Sequence, residues 1–261
     1  MLEAMSAWDG ANHDQRNGRR RCSPAEARKG IPVAEMTKPA PVDRAVIAAV
    51  ASAFICSDEI ATVIARAGRT NEYRPRAVIV RQGDVISLAY LIVTGRAKAL
   101  LYTFDGQVVL LHDYRDGDLF GAIEESDRTP QDADVVASGE VIALAIDAGE
   151  LAALAQQFGC IGLALSRMLL KRLRHTTRRM YEQAALSAVG RVHAELLRLA
   201  RMTGDMTIRP TPVLSELAQR VATTRETVSR TVNALDRRGF IRREDGGLRI
   251  VAPERLEEMI L

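Results

Sequence analysis

The chain predicts an α+β protein in three successive parts: an antiparallel β-barrel or jelly roll, a long helix, and a helix-turn-helix with a two-stranded wing. Three observations carry this. Between Arg76 and Ile146, short apolar runs alternate with tight-turn residues, and no helical period intervenes. From Cys160 to about Ala185, apolar residues return at helical spacing. From Val213 to Ile250, two short amphipathic helices flank the turn Ala222-Thr223-Thr224 and lead into two short strands.

The first 40 residues are polar, rich in arginine and broken by glycine and proline, which predicts disorder. Met36 directly precedes the ordered part and is an alternative start; a basic arm on DNA is the other reading. Ala45 to Ala67 has helical spacing, with Ser57-Asp58-Glu59 restarting a second helix. The strands are read as 76–81, 87–93, 96–102, 107–112 and 141–146. Their turns are Gly83-Asp84, Thr94-Gly95, Asp105-Gly106, Gly117-Asp118 and Ser138-Gly139. A short helix spans 150–158 before the long one.

On the long helix Ile161, Leu165, Met168/Leu169, Arg172, His175/Thr176 and Arg179/Met180 form one stripe, apolar at its start, opposite Lys171, Arg174 and Arg178. A helix of about seven turns that projects beyond a barrel must cover its stripe, and a parallel coiled-coil partner does so. Packing back on the barrel is the alternative, and the two can hold for different faces. Leu186-Ser187-Ala188 is the hinge before a helix from 188 to 202. The divisions are therefore 1–40 extension, 41–158 barrel, 159–185 dimerisation helix and 186–261 winged head.

At 261 residues, with 47% hydrophobic and 26% charged residues, the chain has material for two separate cores. Net charge is only +3, but nine arginines face five acids between Arg209 and Arg249. That local excess suits a phosphate backbone, although solvated helix charge gives the same count. No run of about 18 apolar residues suggests a membrane span, and Arg16 to Arg21 are not followed by a signal-type apolar stretch. A cytoplasmic location without membrane contact is expected. Cys22, Cys56 and Cys160 form no CxxC pair, which disfavours a disulfide framework, zinc or an iron–sulfur cluster, so no metal is expected. Cys56 and Cys160 read as small buried apolar residues. No Ser-His-Asp, metal-ligand or phosphate-loop constellation supports an enzyme.

The second short helix carries Arg225, Glu226, Ser229 and Arg230 in its first two turns, able to fork onto purine edges or accept from cytosine. Thr223 and Glu226 also fit a capping box, and Thr224 is an alternative cap that can touch phosphate. Pro212 after Thr211 suits the start of the first helix.

Glu216-Leu-Ala218, Arg225-Glu-Thr-Val-Ser-Arg230, Leu235 and Gly239-Phe-Ile-Arg242, with Gly117-Asp-Leu-Phe-Gly121 upstream, resemble the Crp/Fnr regulators over about residues 45–258. The resemblance implies a homodimer that binds double-stranded DNA and engages RNA polymerase as activator or repressor. It gives Arg225 a guanine, Glu226 a cytosine, and Arg230 a base or phosphate, with Ser229 at the Fnr branch's serine. Together these imply GTGA or TTGA half-sites. Arg242 and Arg243, like Arg237 and Arg238, become wing phosphate contacts. Where the family often has Thr or Ser, Val213 removes one contact.

The barrel departs from the pattern of the cyclic-nucleotide-binding members. Gly121 is kept, but Ala122 replaces the acid that accepts from the ribose. Gln131 and Asp132 replace the Arg-Ser/Thr pair that holds the phosphate. Asp132 or Asp134, if unpaired beside a phosphate, would repel it at a cost of several kcal/mol. Glu124, Glu125 and Asp127 make the mouth acidic. Thr176 and Thr177 stand where the family reaches the adenine, or are ordinary packing. Cyclic AMP is therefore not expected to bind in the usual way, and no cofactor is expected. A different effector, such as a cyclic dinucleotide on Arg172, Arg174, Arg178 and Arg179, is the alternative; a ligand-sensing module with a weak DNA head is another.

Overall fold

The computed structural model describes residues 43–103, 108–123 and 129–260. The expected disordered extension, Cys22, the Asp105-Gly106 turn and the acids Glu124, Glu125 and Asp127 lie outside these.

The described chain opens with α1 (Arg44–Phe54), whose first turn is capped by the Asp43 carboxylate accepting from the Ala45 N–H, and α2 (Asp58–Arg66). Eight strands follow: β1 (Gly68–Tyr73), β2 (Val78–Val80), β3 (Leu88–Thr94), β4 (Ala97–Tyr102), β5 (Val108–Tyr114), β6 (Leu119–Gly121), β7 (Asp134–Ala137) and β8 (Val141–Asp147). They form two antiparallel four-stranded sheets, β1-β8-β3-β6 and β2-β7-β4-β5. The barrel is thus a jelly roll of two sheets.

β3 and β8 are apolar almost without interruption because each has a covered face on both sides. Tyr90, Ile92, Ala143 and Ala145 point into the core between the sheets. Ala89, Leu91, Val93, Leu144 and Ile146 point outward beneath the helices. Gly121 carries φ +96°, and a Cβ there would sit 2.3 Å from the Leu88 carbonyl oxygen. Only glycine permits that approach of β6 to β3.

After β8 come α3 (Ala148–Gln157), capped by Asp147, and the 27-residue α4 (Gly159–Ala185). The head contains α5 (Ala188–Arg201), β9 (Thr207–Ile208), α6 (Leu214–Arg220), α7 (Arg225–Arg237), β10 (Ile241–Glu244), β11 (Gly247–Ile250) and α8 (Pro253–Glu258). β9 joins β11, so the wing sheet has three strands rather than two. Ser187 caps α5, accepting from the Gly190 N–H at 3.0 Å. The head's core gathers Leu196, Leu217, Val228, Leu235, Ile241 and Leu256, all nearly inaccessible. α6 begins at Leu214, two residues later than Thr211-Pro212 suggested, because the Thr211 N–H donates to Gly246 of the wing turn.

α4 corrects the expected dimer stripe. Ile161 is fully buried in its own chain, and Leu165 and Met168 pack on the same helix-and-sheet core. Arg172 also turns inward: it donates to the Leu119 carbonyl and lies 5.1 Å from the Tyr114 ring centre. Ile161, Leu165 and Met168 are apolar because the jelly roll covers them. Another stripe is open: Leu163, Leu170 and Leu173, joined by Met180 of the expected stripe, are more than half exposed. With Ser166 and Thr177 they repeat in steps of three and four, the spacing of a coiled-coil seam. Leu169 and Thr176 are exposed beside this stripe.

Candidate DNA interface and sensing domain

The reading helix α7 is built from its cap outward. Thr224 is the N-cap, its hydroxyl accepting from the Thr227 N–H at 3.2 Å. The Thr223–Glu226 capping box is therefore not formed, since helix geometry starts one residue later. Arg225 and Glu226 occupy the first two helical positions, and both are exposed, as is Arg230 one turn on. Ser229 is half-buried beside them. The opposite face carries Val228, Thr231, Val232 and Leu235, all buried. Glu226's own N–H, then the Thr224 hydroxyl, holds its carboxyl below the usual range, so it stays an acceptor at neutral pH.

At the wing, Arg242 is exposed at the β10–β11 hairpin. Arg243 is tied back to α7, donating to Asp236 at 3.2 Å and Asn233 at 2.9 Å. Arg237 donates to the Asn233 carbonyl, and Arg238 lies 4.8 Å from the Phe240 ring centre. Val213 is exposed and gives α6 no side-chain cap.

Between the two sheets, Tyr90 stacks on Phe120 with ring centres 5.2 Å apart, and Tyr114 follows at 4.8 Å. Arg172 closes over this group from α4. Ala122 is buried, with its N–H donating to the Leu88 carbonyl. Gln131 is locked by backbone hydrogen bonds to Gly83 and Asp84, while Asp132 is exposed. Asp134 is not an unpaired carboxylate: it accepts from the Gln82 N–H at 2.7 Å. Its carboxylate steadies the Gly83 turn. Thr176 and Thr177 are exposed on α4. The four arginines considered together on α4 are not brought together: Arg172 enters the sheet mouth, Arg178 and Arg179 line one cleft, and Arg174 belongs to neither.

Sequence reasoning missed the contact between head and jelly roll. Arg220 of α6 donates to Asp113 of β5 at 2.8 Å, and Lys98 of β4 pairs with Glu216 of α6 at 2.9 Å. Arg179 donates to the carbonyl of Arg220, and Arg191 to those of Val221 and Ala222. The Arg220, Lys98 and Arg179 bonds brace the helix-turn-helix on the β4–β5 hairpin, Arg191 ties α5 to the turn, and none of them engages Arg225, Glu226 or Arg230. Asp113 and Arg220 stand 107 residues apart, so no local pattern links them.

Three histidines give this region a pH signature. Burial, then the Arg172 charge, lowers His112 to about 4 from an ordinary 6.5; burial also lowers His175 and His193. All three take up a proton less readily in the fold than in the unfolded chain, so the unfolded chain binds more protons as pH falls through 6.5. Stability is therefore full above 6.5 and declines as pH drops toward 4. Discounting for partial exposure, His112 contributes on the order of 1–2 kcal/mol to that decline. Urea midpoints between pH 7 and 4.5 should fall, and His112→Phe should flatten the fall. An unchanged slope contradicts this origin.

A jelly-roll domain joined by a long helix to a winged helix-turn-helix with exposed, capped basic residues defines a DNA-binding regulator with a sensor-type domain. Comparison with known proteins places it further. Residues 70–158 match the cyclic nucleotide-binding domain family, and residues 190–259 the Crp-like helix-turn-helix domain family. A CRP-like cAMP-activated global transcriptional regulator of Mycobacterium tuberculosis is 30% identical over 183 residues, 68% of this chain and 82% of that protein. The cyclic AMP receptor protein of Thermus thermophilus is also 30% identical, over 69% of this chain and 83% of its own length. Among solved structures, a CooA mutant from Carboxydothermus hydrogenoformans superposes with a TM-score of 0.67 at 20% identity, covering 76% of this chain and 90% of that one. The chain belongs to the Crp/Fnr family of transcription regulators, which are not enzymes. Among the described residues no single helix is long and apolar enough to cross a membrane.

Proposed function

We propose that the protein is a homodimeric regulator whose two α7 helices read an inverted repeat of GTGA- or TTGA-type half-sites, acting with RNA polymerase at promoters. The observation that carries this is the exposure of Arg225, Glu226 and Arg230 on the first two turns of a capped helix whose other face is buried. Arg225 takes a guanine edge, Glu226 a cytosine amine, and Arg230 a second base or a phosphate. Arg242 and Thr224 contact the backbone. Arg243 acts mainly by fixing the wing on α7. The two chains join along Leu163, Leu170, Leu173 and Met180. A mobility-shift titration with palindromic GTGA and TTGA duplexes tests the reading. Tight binding to these and weak binding to scrambled half-sites is expected, and equal affinity for all contradicts it.

Cyclic AMP is not the activating ligand by the family's usual contacts. Ala122 offers no carboxylate for a ribose and Gln131 no charge for a phosphate, while Tyr90 stacks on Phe120 between the sheets and Arg172 is engaged by the Leu119 carbonyl. Calorimetry should show no saturable cyclic AMP binding in the micromolar range; a micromolar dissociation constant contradicts the assignment. A cyclic dinucleotide gripped by Arg172, Arg174, Arg178 and Arg179 is disfavoured by their dispersal on α4.

A further inference from the structure

We infer that Cys56 and Cys160 are a redox pair, which a hydroperoxide closes to a reversible disulfide at the root of the long helix. Distant in sequence and part of no CxxC motif, the two are brought side by side only by the fold.

Each cysteine lies at a sharp corner between two helices. Cys56 sits where the chain bends by 110° from α1 into α2, and Cys160 just past the 115° bend from α3 into α4. At the first corner Ile55 takes φ 51°, a left-handed conformation unusual for a β-branched residue. The Cys56 N–H then closes the end of α1 by donating to the Ala51 carbonyl at 3.2 Å. At the second corner the extended backbone of Phe158 turns the chain, and Cys160 is the second residue of α4. α1 packs against α4, and both cysteines rest on the same apolar core. There the Cys160 thiol is the hydrogen-bond partner of the Cys56 thiol. Both thiols are free and only partly covered, which admits a molecule as small as a hydroperoxide. Among the described residues no third His, Cys, Asp or Glu completes a metal site around them.

The chemistry follows from that contact. Burial, then Cys160, pushes the Cys56 thiol up, so Cys56 is the slower of the two to act first. Cys160 therefore attacks: its sulfur bonds to one peroxide oxygen, the O–O bond breaks, and the other oxygen leaves as water. The product is a sulfenic acid. Cys56 sulfur then attacks the Cys160 sulfur, the S–O bond breaks, and the hydroxyl leaves with the Cys56 proton as a second water. Two thiols and one hydrogen peroxide become one disulfide and two waters, and a dithiol reductant restores the thiols as it is itself oxidised. No segment has to unfold for the sulfurs to meet. The bond ties the α1–α2 corner to the first turn of α4, one turn before Leu163, where the exposed seam begins. Oxidation thus stiffens the root of α4. This inference goes beyond the proposed DNA reading and does not rest on it.

The full chain, reduced and then exposed to hydrogen peroxide, alkylated and mapped by mass spectrometry, tests the pair. A linked Cys56–Cys160 peptide should form within one chain, with the intact mass lower by about 2 Da, and dithiothreitol should remove it. The oxidised chain should melt about 5 °C or more above the reduced one, because the link restricts the unfolded chain. Cys22→Ser should leave both results unchanged. Cys56→Ser should strand Cys160 as a sulfenic acid that dimedone traps, and Cys160→Ser should give less adduct on Cys56. The double variant Cys56→Ala with Cys160→Ala should melt close to the reduced wild-type chain and ignore peroxide. No linked pair, a link to Cys22 or to a second chain in its place, or an oxidised chain that melts no higher than the reduced one overturns the assignment. More adduct on Cys56 than on Cys160 overturns the order of attack.

Discussion

A double variant, Leu170→Lys with Leu173→Glu, is expected to sediment as a monomer and to lose at least a hundredfold in operator affinity while each chain stays folded. Both side chains are more than half exposed in the single chain, so their replacement removes no internal packing. In the proposed dimer they would sit at the centre of the seam, where each new charge faces its own copy, a buried like-charge pair that is costly. Separating the chains removes the second head's high local concentration, an avidity worth roughly 10²–10⁴. The same charges at Leu165 and Met168 should unfold the jelly roll instead, because those residues pack on its core. A dimer that survives the double variant with its affinity intact refutes the seam.

Removing the reading side chains gives the second large effect. Arg225→Ala and Arg230→Ala should each cost about 1–3 kcal/mol per head, and Arg225→Ala should relax discrimination at one base pair of each half-site. Among the described residues neither has an ion-pair partner, so thermal stability should hardly move. Arg243→Ala should behave differently. It frees Asp236 and Asn233 and loosens the wing, lowering affinity evenly across sequences. Loss of sequence preference with Arg243→Ala, and none with Arg225→Ala, would reverse the assignment.

The head was legible in the sequence because its apolar spacing leaves little choice: Leu217, Val228 and Leu235 recur at helical intervals and all lie buried. β3 and β8 were legible as long apolar runs. Polar edge strands were not. β1 reads Gly-Arg-Thr-Asn-Glu-Tyr, with no apolar alternation, and it is a strand because β8 lies beside it. β7, Asp134–Ala137, is too short to give a strand signal of its own, and pairing with β2 and β4 makes it one. α4 carries two apolar stripes, and the sequence does not say which meets the sheet. Of the stripe expected to meet a partner, Ile161, Leu165, Met168 and Arg172 face the jelly roll, while Leu169, Thr176 and Met180 stay exposed. The choice of Thr224 over Thr223 as the cap turns on one residue of helix start, below what spacing resolves.

Helical phasing of the two half-sites bears most directly on the central reading. In the proposed dimer, two heads fixed on one coiled coil would face the same side of the duplex, with half-site centres about 10–10.5 base pairs apart. Inserting about five base pairs turns one half-site to the far side and should abolish tight binding, while a full-turn insertion should restore part of it. Affinity that stays constant through the half-turn insertion would contradict a paired reader and the assignment built on it.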